Sequence, residues 1–430
     1  MTKAQTVRLH ISKSQEGTYF TIPFSVPERT ERIDIEYSYP RRQTAEEGGW
    51  SRSREVNVVD LAVEAPGGEC AGSSGSNRTR VWISAGGSAE GFAPLPARAG
   101  TWAIVVGAYQ IQTGGVDVVY TVTCTPKILR LLRGDTHLHT RGSDGALSAG
   151  EAAALARQSG LDYVFLTDHN NYAQNLLPPQ AKDLTVLPGM EWTHYRGHCG
   201  MLGVRRPLRS PFCANTREQV LQKLREARAA GALLVLDHPF CPFCGWKFGF
   251  DVPFDLAEVW NGGTVPKANA ECLAWWQSRL EAGERIPVSG GSDFHRPDLF
   301  HRIGSPCDCL YALSREPGDI LAALKGGCGY LTYEPEGPGV SARAGDALLG
   351  GAAPKGTAVA ATFFNLRGGD RLRVISGGKT EEVVCGPDAA RYSLEFSAGD
   401  AGFCRFEVRR SYQPGLPEMT AMISNPIYFE

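Results

Sequence analysis

Between residues 131 and 295 the sequence repeats one device: a short apolar run that stops at a histidine or a carboxylic acid. Leu131 to Leu138 runs into His137-Leu138-His139, and Tyr163-Val164-Phe165-Leu166-Thr167 into Asp168-His169. Leu184 to Leu187 leads to Gly189-Met190-Glu191, Leu233-Leu234-Val235-Leu236 to Asp237-His238-Pro239, and Ile286-Pro287-Val288-Ser289 to Gly290-Gly291-Ser292-Asp293-Phe294-His295. Helical stretches lie between these runs. Ser148-Ala149-Gly150-Glu151 and Thr216-Arg217-Glu218-Gln219 are capping boxes, Gly160 and Gly231 act as stops, and Asn269 to Ala282 and Gly318 to Lys325 read as further helices. Apolar strands alternating with helices predict a parallel α/β array, whose chemistry belongs at the strand ends.

The flanks have a different texture. Up to about Lys127, short period-two runs such as Ile33 to Tyr37, Val56 to Val63, Arg80 to Ile83, Trp102 to Val106 and Val118 to Val122 are punctuated by Gly, Pro and Ser. They predict an antiparallel β-sandwich of jelly-roll type. After about Glu336 the β texture returns in Ala358 to Phe364, Arg371 to Ile375 and Cys404 to Val408, which predicts a second small sandwich. The expected domains are therefore 1–127, 128–335 and 336–430, in line with a chain of 430 residues that exceeds one ordinary core.

With 44 Lys+Arg against 46 Asp+Glu, the charge balance implies no broad basic surface for a nucleic-acid polymer. Nothing at the N-terminus reads as a signal peptide and no later run is apolar enough to span a membrane, so a soluble, cytoplasmic protein is expected. The 12 cysteines show no disulfide spacing framework and read as reduced thiols. Cys241-Pro242-Phe243-Cys244 lacks a second pair at zinc-knuckle spacing and reads as structural thiols after His238.

Eight of the nine histidines fall between His137 and His301. Singly, each strand-end residue has a bland explanation: Asp168 or Asp293 as a helix cap, Asp237-His238-Pro239 as a turn. Jointly, His137, His139, Asp144, His169, Glu191, His198, His238, Asp293 and His295 would be polar groups crowded at one strand-end face without stated partners, so a metal centre is expected. Imidazole and carboxylate donors without an assigned thiolate suit Zn, Mn or Fe. His194 competes with His198 for one ligand role. Arg196, Arg141 and Arg296, with Lys247 behind them, are candidates to bind an anionic substrate group through guanidinium forks. Trp192, beside Glu191, is either a wall for a ring or a core residue.

The order His137-x-His139-Thr140-x-x-Ser143-Asp144-Gly145, Thr167-Asp168-His169-Asn170, Gly189-x-Glu191, Gly197-His198, Asp237-His238-Pro239 and Gly291-Ser292-Asp293-x-His295 resembles the polymerase and histidinol phosphatase (PHP) superfamily. Arg302-Ile303-Gly304-Ser305-Pro306, Ile320 to Gly327 and Asn425-Pro426-Ile427-Tyr428 are similar to the branch named after carbaryl hydrolase (CehA/McbA). The resemblance implies a distorted TIM-like barrel of seven strands with two or three divalent metal ions. It places His137, His139, Glu191 and Asp293 on one ion, His198 and His238 on a second with Glu191 bridging, and Asp144, His169 and His295 at a third. It also favours His198 over His194, because Gly197-His198 precedes the apolar run Met201 to Val204. Many relatives have histidine where Asp144 stands.

Such a centre would generate a bridging hydroxide and clamp phosphoryl oxygens, with Glu191, Asp144, His169 and His295 as the catalytic groups. The expected activity is a metal-dependent phosphoesterase acting on a small phosphomonoester or phosphodiester, with no membrane or nucleic-acid partner. The alternative is hydrolysis of a carbamate, aryl ester or amide; a non-catalytic binding protein is the third class.

Overall fold

The fold comes from a computed structural model that describes residues 3–47, 50–179, 181, 183–298, 301–413 and 415–430. The chain divides into two compact units, 1–128 and 129–430. In the first, the strands Lys3–Ile11, Val116–Pro126, Thr30–Ser38, Arg80–Ser84 and Gly87–Ser88 lie side by side in that order, and Tyr19–Val26, Gly100–Gln110, Val58–Ala65 and Glu69–Ser74 form a second sheet. Pairing is antiparallel throughout. Period-two alternation puts Val118, Tyr120 and Val122 of one sheet and Leu61, Val63, Ile104 and Val106 of the other into one shared core. Trp102, which enters its strand after Gly100, belongs to that core, and its indole N–H donates to the Arg98 carbonyl at 2.9 Å.

The second unit carries eight of the nine histidines. Its strands are β1 (Arg130–Asp135), β2 (Tyr163–Leu166), β3 (Thr185–Pro188), β4 (Glu191–His194), β5 (Gly197–Leu202), β6 (Leu233–Asp237), β7 (Leu256–Asn261), β8 (Val288–Gly291), β9 (Cys307–Ala312) and β10 (Gly329–Thr332), and its helices are α1 (Ala149–Gln158), α2 (Arg217–Ala229), α3 (Pro266–Glu281) and α4 (Pro317–Lys325). Ser148 and Thr216 cap α1 and α2 in the two capping boxes expected from sequence.

The strands do not make the expected closed parallel barrel. They form two open sheets, β3-β2-β1-β9-β10 and β4-β5-β6-β7-β8, that touch through isolated bridges at Leu138–Phe294 and His169–Glu191. Pairing is parallel for β1–β2, β2–β3, β6–β7 and β7–β8, and antiparallel for β4–β5, β5–β6, β1–β9 and β9–β10. The reason is local: Tyr195-Arg196 between β4 and β5 is a hairpin turn, too short for the crossover that a parallel pair needs.

The expected domain break near residue 335 is bridged by pairing. Strand Met419–Ser424 joins β10 and continues the first sheet into Phe403–Arg410, Arg371–Ser376 and Lys379–Val384, while Gly339–Ala344, Ala358–Phe364 and Arg391–Ser397 belong to a small sheet that shares the same core. No helix among the described residues is long and apolar enough to cross a membrane.

One buried ion pair pins this C-terminal region. Arg410 donates to both oxygens of Asp370, at 2.8 and 2.7 Å, and both side chains are buried. Removing one partner leaves a desolvated charge behind, so Asp370→Ala should lower the unfolding free energy of the 129–430 unit by about 3–5 kcal/mol in urea titrations followed by fluorescence. An effect below about 1 kcal/mol would show that the pair is not held as described.

Candidate metal centre

His137 and His139 lie just past the end of β1, in extended backbone, and the two imidazoles face the same pocket. The Asp135 carboxylate fixes this segment by accepting from the backbone N–H groups of Ser292 (3.0 Å), Gly304 (2.8 Å) and His137 (3.2 Å). That ties the ends of β1 and β8 together. Gly291 permits the approach: a Cβ there would stand 2.2 Å from the His137 Cβ. Asp168 does the same for the turn carrying Asp144, accepting from the N–H and hydroxyl of Thr140 (2.7 Å each) and from the Ser143 hydroxyl (2.7 Å).

Two of the strand-end residues adopt left-handed backbone, His238 at φ +28° and Asp293 at φ +50°. For non-glycine residues this costs about 1–3 kcal/mol each and persists only where the surroundings enforce it. Here the His238 N–H donates to Glu258 Oε2 at 2.8 Å and the Asp293 N–H to the His137 carbonyl at 2.9 Å. Both side chains are thereby turned into the pocket.

Glu191, fully buried at the start of β4, is the centre of the cluster. Its Oε1 lies 2.7 Å from His198 Nδ1 and 3.2 Å from His238 Nε2. Its Oε2 lies 3.5 Å from His137 Nε2, 3.5 Å from His139 Nε2 and 2.7 Å from His169 Nδ1. Asp293 Oδ1 stands 3.1 Å from His139 Nε2, 3.5 Å from His137 Nε2 and 3.6 Å from His295 Nδ1. At the lip, Asp144 Oδ1 is 3.4 Å from His295 Nε2 and 3.7 Å from His169 Nε2, with its side chain 59% exposed.

These separations suit cations. Tetrahedral N and O donors about 2.0–2.2 Å from one ion stand about 3.3–3.6 Å from each other, the range of half of these contacts. Among the described residues His137 Nε2 and Glu191 Oε2 are buried without an aligned hydrogen bond, although each has donors or acceptors close by. His137 Nδ1 is engaged on its far side by the Glu258 carboxylate at 3.0 Å, which fixes a tautomer whose Nε2 lone pair faces Glu191 and Asp293. His295 Nδ1 donates to the Asp293 carbonyl at 2.8 Å, leaving its Nε2 for the lip. A lone pair aimed at a carboxylate oxygen is repulsive unless positive charge lies between them.

The charges give the same answer. Burial alone would push Glu191 up, but the facing imidazoles of His137, His169 and His198 hold it well below the usual carboxylate range. Asp293 is likewise lowered against its burial, chiefly by His137 and His139. Asp237 goes the other way, raised by burial and by Glu258 and Glu191 against the pull of His137. Glu191 and Asp293 are thus held toward their charged forms in a buried cluster, where desolvation costs several kcal/mol per ion unless positive charge offsets it. Divalent ions match that deficit. His137, His139 and Glu191 could hold one, with Asp293 beside them; His198 and His238, with Cys244 within reach and Glu191 Oε1 at 2.7 and 3.2 Å, a second; and Asp144, His169 and His295, joined by His139, a third.

All nine residues singled out in the sequence converge here, which single strand-end motifs could not guarantee. His194 does not: alternation along β4 turns it to the opposite face from Glu191, where it stacks on Trp192 and meets Phe248 edge-on. Trp192 is a core residue that donates to the Phe212 carbonyl at 2.6 Å. Arg141 pairs with Glu151, Arg196 lies over the Phe248 ring at 5.0 Å and donates to the Lys247 carbonyl at 3.3 Å, and Arg296 is exposed next to His295. Sequence reasoning missed Glu258, Asn261, Asp135 and Asp168. An acid inside the apolar run Leu256 to Trp260 is the signal that would have found Glu258. Asn261 Nδ2 donates to Glu258 at 3.1 Å and Asp293 at 3.3 Å.

No family model and no curated protein matches the chain. Among solved structures, a two-domain protein from Bacteroides vulgatus described as containing a predicted PHP-like metal-dependent phosphoesterase is similar over 70% of this chain and 97% of its own, at 17% identity and a TM-score of 0.39. An amidohydrolase from Chromobacterium violaceum, with bound sulfate and no metal, is similar over 39% of this chain and 89% of its own, at 17% identity and a TM-score of 0.27. Likenesses this distant assign no activity.

Two outcomes check the site. Glu191→Gln should stay folded yet lose at least one divalent ion per chain by elemental analysis, and bind the remainder at least about 10-fold more weakly, whereas Asp144→Asn should keep the ions held around Glu191. Unchanged metal content in Glu191→Gln would remove that residue from the centre. Gly291→Ala forces β1 and His137 aside and should destabilise the unit by about 1–3 kcal/mol in thermal or urea unfolding while weakening metal binding; an unaffected variant would mean that the close approach is absent.

Proposed function

We propose that this chain is a metal-dependent hydrolase of the PHP type, in which two or three divalent ions at the Glu191 cluster act on a small phosphomonoester or phosphodiester. The observation that carries the reading is the single buried carboxylate facing five imidazoles at 2.7–3.5 Å. Divalent ions held there supply Lewis-acid polarisation and a water acidic enough to attack at neutral pH. Everything else is the work of the protein's own side chains. Glu258 and the carbonyl of Asp293 orient His137 and His295 from behind, so their other nitrogens are aimed before substrate arrives.

Asp144, His169 and His295 form the solvent-facing side of the cluster. In this reading they meet the departing oxygen with either a proton held at His295 Nε2, 3.4 Å from Asp144 Oδ1, or a third ion in its place. Arg296, exposed beside His295, is the nearest guanidinium in sequence to this lip and is proposed to meet the anionic end of the substrate.

A second reading, hydrolysis of a carbamate, aryl ester or amide, is favoured by what Arg141 and Arg196 do: both are engaged away from the cluster, by Glu151 and by Phe248. The two readings separate in one assay set. Chelated and metal-reloaded chain should hydrolyse p-nitrophenyl phosphate, its bis-ester or a nucleotide, and His295→Gln should lower kcat by about 10²–10⁴-fold with a smaller change in KM. Turnover of naphthyl acetate or carbaryl without phosphatase activity would select the second reading. Inactivity on both sets with a full metal complement would sink hydrolysis altogether.

A further inference from the structure

The pair Cys241 and Cys244 has no part in the chemistry above, yet it sits directly behind one of the proposed ligands. Cys244 Sγ is 3.6 Å from His238 Nδ1 and 3.0 Å from Cys241 Sγ. The loop after β6 holds this arrangement through three backbone hydrogen bonds of 2.9 Å: Cys241 N–H to the His238 carbonyl, Gly245 N–H to the Cys241 carbonyl and Trp246 N–H to the Pro239 carbonyl. A Cβ at Gly245 would lie 2.5 Å from the Cys241 carbonyl oxygen, so the turn is closed tightly. Both thiols are half-buried under an exposed tip, where Phe243 is 84% exposed, so a small solute can reach them.

The hydrogen-bond directions are ordered. The Cys244 S–H donates to Cys241 Sγ, so Cys244 sulfur accepts the Nδ1–H of His238. With Nδ1–H committed to sulfur, His238 Nε2, 3.2 Å from Glu191 Oε1, is the nitrogen left to ligate the second ion.

We propose that Cys241 and Cys244 form a peroxide-oxidisable dithiol whose state sets how tightly His238 holds its cation. The proposal rests on the Glu191-centred metal reading. In the reaction each thiol gives up its proton, the two sulfurs together give up two electrons, and an S–S bond forms. The O–O bond of hydrogen peroxide breaks, taking those electrons and protons to yield two waters. Drawing the sulfurs from 3.0 Å to a bonded separation of about 2.0 Å removes the Cys244 S–H and pulls its sulfur off Nδ1. The ring then loses the contact that fixes its tautomer. Cys244 is a positioning residue here; it acts through His238.

The test uses the full chain loaded with Co²⁺, with ion affinity measured by competition against a chelating dye before and after about one equivalent of hydrogen peroxide. Peptide mass mapping should find the 241–244 disulfide. Affinity at one of the positions should fall about 10–100-fold and return on reduction with dithiothreitol. Cys241→Ser should bind the ion alike before and after peroxide. Three outcomes overturn the proposal while leaving the metal centre intact. One is a disulfide that forms without changing affinity. Another is a pair that peroxide leaves reduced while the other thiols oxidise. The last is a sulfur-to-cobalt charge-transfer band, lost in Cys244→Ser, that would make Cys244 a ligand in its own right. Reduced wild-type chain that binds no Co²⁺ at all would overturn this proposal and the metal reading together.

Discussion

The second unit depends on one electrostatic problem, the Glu191 carboxylate fully buried among imidazoles. Burial disfavours its charge, and the hydrogen bond that His198 offers Oε1 satisfies one oxygen only. The contacts around Oε2 are close without being aligned hydrogen bonds. A protein could relieve this by favouring the protonated acid, the direction in which burial moves Asp237. Here the surroundings work in the opposite direction: the imidazoles of His137, His169 and His198 favour the ionised carboxylate against its burial. Divalent cations satisfy all of these groups at once.

The scaffold can be understood as the apparatus that keeps that arrangement from relaxing. Asp135 clamps β1 to β8, Asp168 clamps the turn of residues 140–145, and Glu258 reaches both His137 and the backbone of His238. His238 and Asp293 are held in unfavourable left-handed backbone by the same contacts. Asp135 and Asp168 sit at or just beyond strand ends and Glu258 within β7, so the cluster is braced although the strands form two open sheets rather than a closed barrel.

Much of this was legible in the sequence, for a physical reason: apolar strand runs that stop at His, Asp or Glu announce both the strand and what it carries. Strand existence, both capping boxes and the convergence of His137, His139, Glu191, His238 and Asp293 follow from that pattern. What was not legible depends on pairing direction and on the far side of each ring. The antiparallel β4–β5–β6 pairing and the continuation of β10 into strand Met419–Ser424 come from long-range register, which period alone does not encode. Arg141 and Arg196 looked like substrate anchors because their neighbours in sequence are ligands, but Glu151 and Phe248, distant in sequence or on another element, hold them elsewhere. Cys241 and Cys244 read as structural thiols because their contact with the His238 ring is a matter of loop geometry.

The most direct measurement of the central claim is an anomalous-difference map from crystals of the full chain grown with Zn²⁺ or Mn²⁺, recorded at the metal's absorption edge. The account predicts two strong peaks flanking the Glu191 carboxylate, each about 2.0–2.2 Å from one of its oxygens, one shared with His137 and His139 and the other with His198 and His238. Peaks absent from Glu191, or an ordered carboxylate there bonded only to protonated imidazoles at full metal concentration, would contradict it.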